Sequence, residues 1–320
     1  MSSDLEDLRA LVADVLGRQP DADSGELWRT LASLGLTTIG IPEEAGGAGG
    51  GLPELIAVVA ELAERGADVP LVEFNTGRWA LGSRAGSIPG EVAIGCARKT
   101  GEVVRVGWAA VATHLVLLVD DAPSAGLVAL DAPGVTVRDG HDPVDGHGAR
   151  VELDGADVTD LRGEPDGDAI RVRLGLLRCA ALVGATRGAY RMTRRYVRER
   201  EQFGRPLVRI PAVASALARM RVEVIQSEVA LERAVEAGTL EAVAVARVIA
   251  GEAASATADA AHQLHGAMGI TQEYGLHRLT RKLWCWRDAD LPEAAWARRL
   301  GAAAASDGED VVWTVLTATV

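Results

Sequence analysis

From Leu174 to Glu199 the chain runs without a proline and carries apolar residues on most faces, the pattern of a helix buried on several sides. Pro211 opens a second long helix, with Val213, Leu217, Met220, Val224 and Leu231 at steps of three or four, and Gly238 ends it. A third, Ala-rich helix runs from Leu240 to His265 and stops at the Gly266–Gly269 pair. Leu276, Leu279, Leu283 and Trp286 mark a fourth, and a short fifth begins after Pro292. Long helices joined by short turns bury their apolar stripes against one another, so this half of the chain is expected to be a helical bundle.

The remainder divides by periodicity. Up to about residue 88 the pattern is helical: Leu5, Leu8, Leu11, Val12 and Val15 recur at helical spacing, "SGELWRTLASLG" offers Ser24 as N-cap and Gly35 as stop, and Leu52 to Arg65 forms a third stretch. The glycines of "IPEEAGGAGGG" read as a flexible turn, since no Lys-Ser/Thr follows as a phosphate loop requires. Between about 90 and 160, "EVAIGCA", "GEVVRVGWAAV", "HLVLLVD", "GLVALD", "GVTVRDG" and "ARVELDG" are short Val-rich runs punctuated by Gly, Pro and Asp, a β signature. The expected architecture is mostly α with a small β domain, divided at 1–88, 89–162 and 163–320. With 320 residues, more than one core is needed.

The totals exclude several classes of function. A net charge of −12 disfavours binding to nucleic acid or an anionic membrane surface. Apolar residues are 48% and aromatics only 4%, which suits a soluble chain whose helices meet through small residues. The start, "MSSDLEDLRALVADVLG", is acidic where a signal peptide is basic, and no apolar run is long enough to span a bilayer. Cys96, Cys179 and Cys285 are odd in number and widely spaced, which fits a reducing cytoplasm and no metal cage. His262 and His265 stand one turn apart without an evident third ligand, so no metal is expected.

One stretch resists this scheme. "VREREQFGRP", Val197 to Pro206, concentrates Arg198, Arg200, Arg205 and Glu201 around Gln202 and Phe203, in a chain of opposite net charge. Taken alone it reads as a solvated helix end with salt bridges of little worth. Taken with "AHQLHGAMGITQEYGLHRLTRK", about sixty residues on, it resembles the acyl-CoA dehydrogenase family. That family carries R-x-Q-F-G-(R/K)-P between two long helices and Q-(L/I)-x-G-G-x-G at the end of a third. "LGLTTIGIPEEAGGAGGGLPELIAVVAELAERGADVPL" is similar to its N-terminal helical domain, and "GVTVRDG" with "ARVELDGADV" to the last strands of its middle barrel.

The resemblance implies an N-terminal helical domain, a shortened middle β-barrel and a C-terminal four-helix bundle. It implies FAD as cofactor, an acyl-CoA thioester as substrate, an electron-transfer flavoprotein as acceptor, and introduction of an α,β double bond. In such enzymes the R-x-Q-F turn reaches across a dimer interface to FAD held mainly by the neighbouring subunit. Arg200 would then pair with the diphosphate through its forked, permanently charged guanidinium. Gln202 and Phe203 would cover the cofactor. Gln263, Gly266 and Ala267 would contact its adenosine end, although the family usually has Gly at 267.

Two family features are missing. The T-E-P-x-A-G-S-D loop, which holds flavin within its own subunit, has no counterpart: "EVAIGCA" runs directly to "RKTGEVVRVGWAAVATHL". The family's base, a Glu placed against the substrate α-carbon in a dry site, falls at Asp290 of "WRDADLPEAAW", with Asp288 and Glu293 as neighbouring alternatives. Asp is shorter by a methylene, and Pro292 makes Asp290 equally readable as a helix-boundary residue. The family's other base position falls near Arg173–Leu174, neither a carboxylate. These gaps resemble the shorter, incomplete subunit of bacterial heterotetrameric acyl-CoA dehydrogenases of sterol side-chain and bulky acyl-CoA breakdown, in which a paralogous partner supplies the missing half. Two alternatives stand beside this: a self-sufficient flavoenzyme using Asp290, and a flavin-free scaffold subunit.

Overall fold

The structure, a computed structural model, describes residues 3–19, 22–99, 103–120, 124–140, 147–162, 165–308 and 310. The chain forms two compact units, one of residues 1–58 and 68–177, the other of residues 59–67 and 178–320.

The first unit opens with α1 (Ser3–Arg18), α2 (Ser24–Ser33), α3 (Leu52–Glu64), which belongs to this unit as far as Val58, and α4 (Leu71–Ala80). The cap of α2 is Asp23 rather than Ser24: its carboxylate accepts the Glu26 N–H at 2.7 Å, and an ionised acceptor at a helix N-terminus outbids a hydroxyl. Helix α4 lacks a sequence signal because Leu71 through Gly77 are all buried, leaving no polar face to set a period. Its buried Asn75 is satisfied by donating to the carbonyls of Thr37 and Ile39, each at 3.0 Å. The glycine-rich segment after α2 is a built turn, with the Gly40 N–H donating to the Gly49 carbonyl at 2.8 Å.

The Val-rich runs form β1 (Val92–Ala97), β2 (Val104–Gly107), β3 (His114–Val119), β4 (Gly126–Ala129), β5 (Val135–Asp139), β6 (Gly148–Leu153) and β7 (Thr159–Asp160). One sheet has the order β1-β3-β4-β7, with β1 and β3 parallel, and a second, antiparallel sheet has the order β2-β6-β5. Ala93, Leu115, Leu117 and Val128 of the first sheet share a core with Val104, Val106, Ala149 and Val151 of the second, closed by Phe74 of α4. Gly95 is a packing requirement: a side chain there would run into Val104 and Val106.

The second unit takes the end of α3 and continues with α5 (Gly167–Glu199) from Arg178 onward. It adds β8 (Glu201–Gln202), β9 (Arg205–Pro206), α6 (Pro211–Ala237), α7 (Leu240–His265), α8 (Leu276–Asp288) and α9 (Glu293–Asp307). Local chemistry sets these bounds. Pro211 occupies the first turn of α6, and Gly238, with φ 62°, ends it in the left-handed region. Thr239 caps α7 through its hydroxyl to the Ala242 N–H at 3.3 Å. The buried face of α7 includes Ala244, Ala246, Ala250, Ala253, Ala254, Ala258 and Ala261, short side chains that let neighbouring helices approach closely. Among the described residues no helix is long and apolar enough to cross a membrane.

A close backbone contact joins α5 to the end of α3. A Cβ at Gly184 would run into the carbonyl of Ala60, and one at Gly188 into that of Glu64. Glu64 pairs with Arg187 and Arg191, and Arg187 also reaches Glu228 of α6 at 3.3 Å. Burial pulls the Arg187 guanidinium down, but Glu64 and then Glu228 outweigh it and leave it above its ordinary value. Gly184→Ala is therefore expected to lose about 1–3 kcal/mol of stability by overpacking. Gly301→Ala, on α9 with nothing within 4 Å of an added Cβ, should gain up to about 1 kcal/mol from helix propensity. Urea denaturation of the two variants checks the contrast.

Candidate functional site

The charged stretch folds as a corner. The last turn of α5 continues through the Arg200 N–H, which donates to the Tyr196 carbonyl at 2.8 Å. The Arg200 carbonyl then accepts from Leu207 N–H at 2.8 Å, so the corner is clasped at its base. Between these bonds β8 and β9 pair as a minimal hairpin, with Glu201 opposite Pro206 and Gln202 opposite Arg205. Its two-residue loop is Phe203-Gly204, with φ of 55° and 74°. Both angles are those of a type I′ turn, which suits Gly and strains Phe by about 1–3 kcal/mol. Phe203 is 86% exposed, so no packing within the described chain offsets that strain. Arg200 and Gln202 are exposed too, and Arg200 makes no ion pair among the described residues.

The second motif ends α7. Gln263 lies exposed on the last turn, and Gly266, at φ 58° and ψ −140°, takes a conformation open to glycine alone. Gly266 and Ala267 are exposed in a tight turn over Gly266–Ile270, and Met268 and Ile270 beside them are 44% and 75% exposed. Gly269 is buried: a Cβ there would press on His265 and Leu276.

One side chain ties the two motifs together. Tyr196, whose carbonyl takes the Arg200 N–H, stacks on His265 with centroids 4.4 Å apart, and its hydroxyl reaches the His265 carbonyl at 3.4 Å. Tyr274 packs edge-on against Tyr196 at 5.5 Å and beside His265 at 4.9 Å. His265 directly precedes Gly266, so the stack sets the Arg200 corner and the Gly266 turn on one platform. The tyrosine was absent from the sequence analysis; its available signal was its place four residues before Arg200, within hydrogen-bonding register of the helix end. His265 Nδ1 donates to the Ala261 carbonyl at 2.7 Å, and burial lowers its pKa, so the ring is neutral near pH 7. His262 Nε2 meets the Thr280 hydroxyl at 2.9 Å. Among the described residues no group of three or more His, Cys, Asp or Glu is placed to hold a metal.

Asp290 stands elsewhere in this unit, in the link after α8, with a left-handed φ of 64°. Its Oδ2 accepts the Arg178 Nε at 2.9 Å, and these side chains are only 14% and 3% exposed. Arg247, wholly buried beside them, donates to the carbonyls of Trp286, Arg287, Ala289 and Leu291 at 3.3–3.4 Å and so fastens the end of α8. Burial pulls Arg247 down, against the influence of Cys179 and Asp290, and pushes the Cys179 thiol up to about 12 despite Arg247. Of the neighbouring carboxylates, Asp288 is paired with Arg287 at 2.7 Å, and Glu293 opens α9. In the first unit, Arg173 is buried. It donates to Asn75 Oδ1 at 2.8 Å and the Gly40 carbonyl at 3.1 Å, lies 4.7 Å over the Trp79 ring, and is lowered by burial to about 10. In the same unit only residues 98–103 separate β1 from β2.

Asp290→Ala leaves Arg178 buried beside Arg247 without its carboxylate, and is expected to cost about 3–5 kcal/mol in urea denaturation, as a broken buried pair does. Cys179 should resist iodoacetamide in the native chain at pH 8, where about one thiol in ten thousand is ionised, and react fully once unfolded; peptide mass mapping reads both states.

Residues 173–287 match the family model described as "Acyl-CoA dehydrogenase, C-terminal domain", and residues 6–83 the one described as "Acyl-CoA dehydrogenase, N-terminal domain". Among curated proteins, acyl-CoA dehydrogenase IpdE2 of Mycobacterium tuberculosis is 30% identical over 257 residues, covering 78% of each chain. Acyl-CoA dehydrogenase FadE27 of the same organism is 29% identical over 302 residues, covering 79% of this chain and 81% of its own. Among solved structures, a chain of the ChsE4-ChsE5 complex from Mycobacterium tuberculosis superposes with a TM-score of 0.79 at 26% identity, covering 96% of this chain and 98% of that one. The matched bundle, the N-terminal helices and these relatives place the chain in the acyl-CoA dehydrogenase family of oxidoreductases.

Proposed function

We propose that this chain is one subunit of a two-subunit, FAD-dependent acyl-CoA dehydrogenase, lending part of a cofactor site to a paralogous partner that supplies the rest. The observation that carries this is the Arg200–Phe203 corner: an exposed arginine with no ion pair among the described residues and a strained, exposed aromatic ring, held on the same platform as the exposed Gly266–Ala267 turn. A permanent cation, a side-chain amide, an aromatic face and a backbone without a side chain suit a diphosphate and flat ring systems. FAD, when bound, accepts the hydride leaving the substrate β-carbon.

The chain's own residues take limited roles in this scheme. Arg200 binds the diphosphate, Gln202 and Phe203 cover the ring system and exclude water, and Gln263, Gly266 and Ala267 line the adenosine end. The link at 98–103 is too short for a loop that would wrap the cofactor from this subunit, so that wall belongs to the partner. Asp290 has a structural part. A base must take a proton from substrate, and this carboxylate is already engaged by the Arg178 guanidinium, in a cluster with Arg247. This argues against a self-sufficient enzyme using Asp290, and the proposal assigns the carboxylate that removes the α-proton to the partner. The ChsE4-ChsE5 complex, named for two different chains, supports such pairing. An electron-transfer flavoprotein as acceptor and a cytoplasmic location belong to the same proposal, the latter supported by three cysteines that remain thiols.

Co-expression with the paralogous subunit is expected to give a yellow complex with about one FAD per pair, and the chain alone a colourless preparation. In the complex, Arg200→Ala should weaken FAD binding about 10–100-fold, the range for a lost hydrogen bond to a charged group. A yellow homo-oligomer with full flavin occupancy, or undiminished FAD binding in Arg200→Ala, overturns the assignment.

A further inference from the structure

One buried arginine differs from the others in how its charge is met. Arg171 pairs with Asp168 at 3.1 Å, and Arg178 with Asp290 at 2.9 Å. Arg247 lies among the carbonyls of Trp286, Arg287, Ala289 and Leu291, and Cys179 and Asp290 raise it against burial. Arg173, in the second turn of α5, is only 6% exposed and meets no carboxylate among the described residues. Both of its hydrogen bonds come from Nη2, to Asn75 Oδ1 and to the Gly40 carbonyl, and its Nε is buried with no partner at all. Burial alone brings it down to about 10, and no neighbouring charge offsets that. A permanent cation inside a protein calls for a counter-anion, so the first unit holds half of an ion pair.

The walls around the guanidinium are built rather than casual. Asn75 is fixed by donating to the Thr37 and Ile39 carbonyls, which leaves its Oδ1 turned to Arg173. The Trp79 ring lies 4.7 Å from the guanidinium carbon and is half-buried. Gly40, at φ 74°, leaves the room the guanidinium needs: a Cβ there would stand 3.0 Å from Nη2 and 3.2 Å from the Gly51 carbonyl. Gly40 and Gly51 are half-buried as well, so the arginine is shut in by an aromatic face and by backbone without side chains.

We propose that Arg173 is the anchor of an anion site in this chain, which takes a small organic carboxylate. A planar carboxylate matches the fork of a guanidinium and the flat face of an indole, and its charge supplies what Asn75 and Gly40 cannot. An apolar stem behind the carboxylate lies along Trp79. The site uses none of the residues assigned to FAD and does not depend on that assignment.

Calorimetric titration of the complex with hexanoate and adipate, and with hexanamide as the uncharged control, tests this. Both acids are expected to bind saturably and hexanamide not to bind. Arg173→Met should abolish binding of the acids, and Arg173→Lys, which keeps the charge but loses the fork, should weaken it about 10-fold or more. Adipoyl-CoA is titrated beside hexanoyl-CoA. An Arg173-dependent gain for the former shows the carboxylate arriving on a thioester, whereas Arg173-dependent binding of adipate shows it arriving as a free acid. Equal binding of hexanoate and hexanamide, undiminished binding in Arg173→Met, or no Arg173-dependent binding of any of these carboxylates up to tens of millimolar overturns the proposal. Displacement of hexanoate by equimolar phosphate overturns the carboxylate assignment. Should Arg173→Met not fold, the amide control and Arg173→Lys still decide. Flavin content is read separately, so failure here leaves the cofactor assignment standing.

Discussion

The second unit depends on two helices passing with nothing between their backbones. Gly184 and Gly188 lie one turn apart on α5, and each disfavours a helix by about 1 kcal/mol relative to alanine. They are kept because any side chain would occupy the space of a carbonyl at the end of α3. That end carries Glu64, an anion at the helix terminus where the macrodipole is least favourable to it. Arg187 and Arg191, flanking Gly188 on α5, supply the compensating charge. Close approach and charge pairing together fix the rotation of α5 about its own axis. Tyr196 lies two turns beyond Gly188, so a helix locked there delivers the tyrosine ring to His265 and the chain to the corner at Arg200.

The bundle was legible because its signals are local. Pro211, Gly238, Thr239 and Gly266 sit at helix ends for reasons of φ or capping that do not depend on the rest of the chain. The six Val-rich runs became β1 to β6 for a similar reason, the short apolar segment bounded by turn residues being a strand signal in itself. Helix α4 was illegible because a segment buried nearly all round has no period to detect, and its polar Asn75 and Thr76 satisfy themselves internally. Ser24 and Asp23 are adjacent potential caps, and only the Glu26 N–H decides between them.

The site was half legible. Residue types at Arg200, Gln202, Phe203, Gln263 and Gly266 mark the two turns, but no spacing rule says that Tyr196 joins them, because the contact runs between α5 and the end of α7 across the bundle. Nor does sequence report that Phe203 adopts a positive φ, a cost visible only in the backbone. Asp290 was the least legible residue. A carboxylate at a helix boundary reads the same whether it faces a substrate or a guanidinium, and Arg178 is more than a hundred residues away.

The contrast between arginines makes the division of labour physical. Arg178 and Arg247 are buried and Arg187 half-buried, and each is met by carboxylates or a ring of carbonyls, as a charge removed from water must be. Among the described residues Arg200 has no such partner, and it stays exposed next to a ring that folding would ordinarily hide. An exposed cation costs the chain almost nothing, but a large aromatic held out in a left-handed turn costs free energy continuously. The turn that holds it is clasped at its base by two backbone hydrogen bonds, both made by Arg200, so the cost is built in rather than accidental. Folding alone gives no return on that strain. On the proposed reading, burial of Phe203 against the partner would offset it, and the same approach would bring the Arg200 guanidinium to the cofactor's diphosphate.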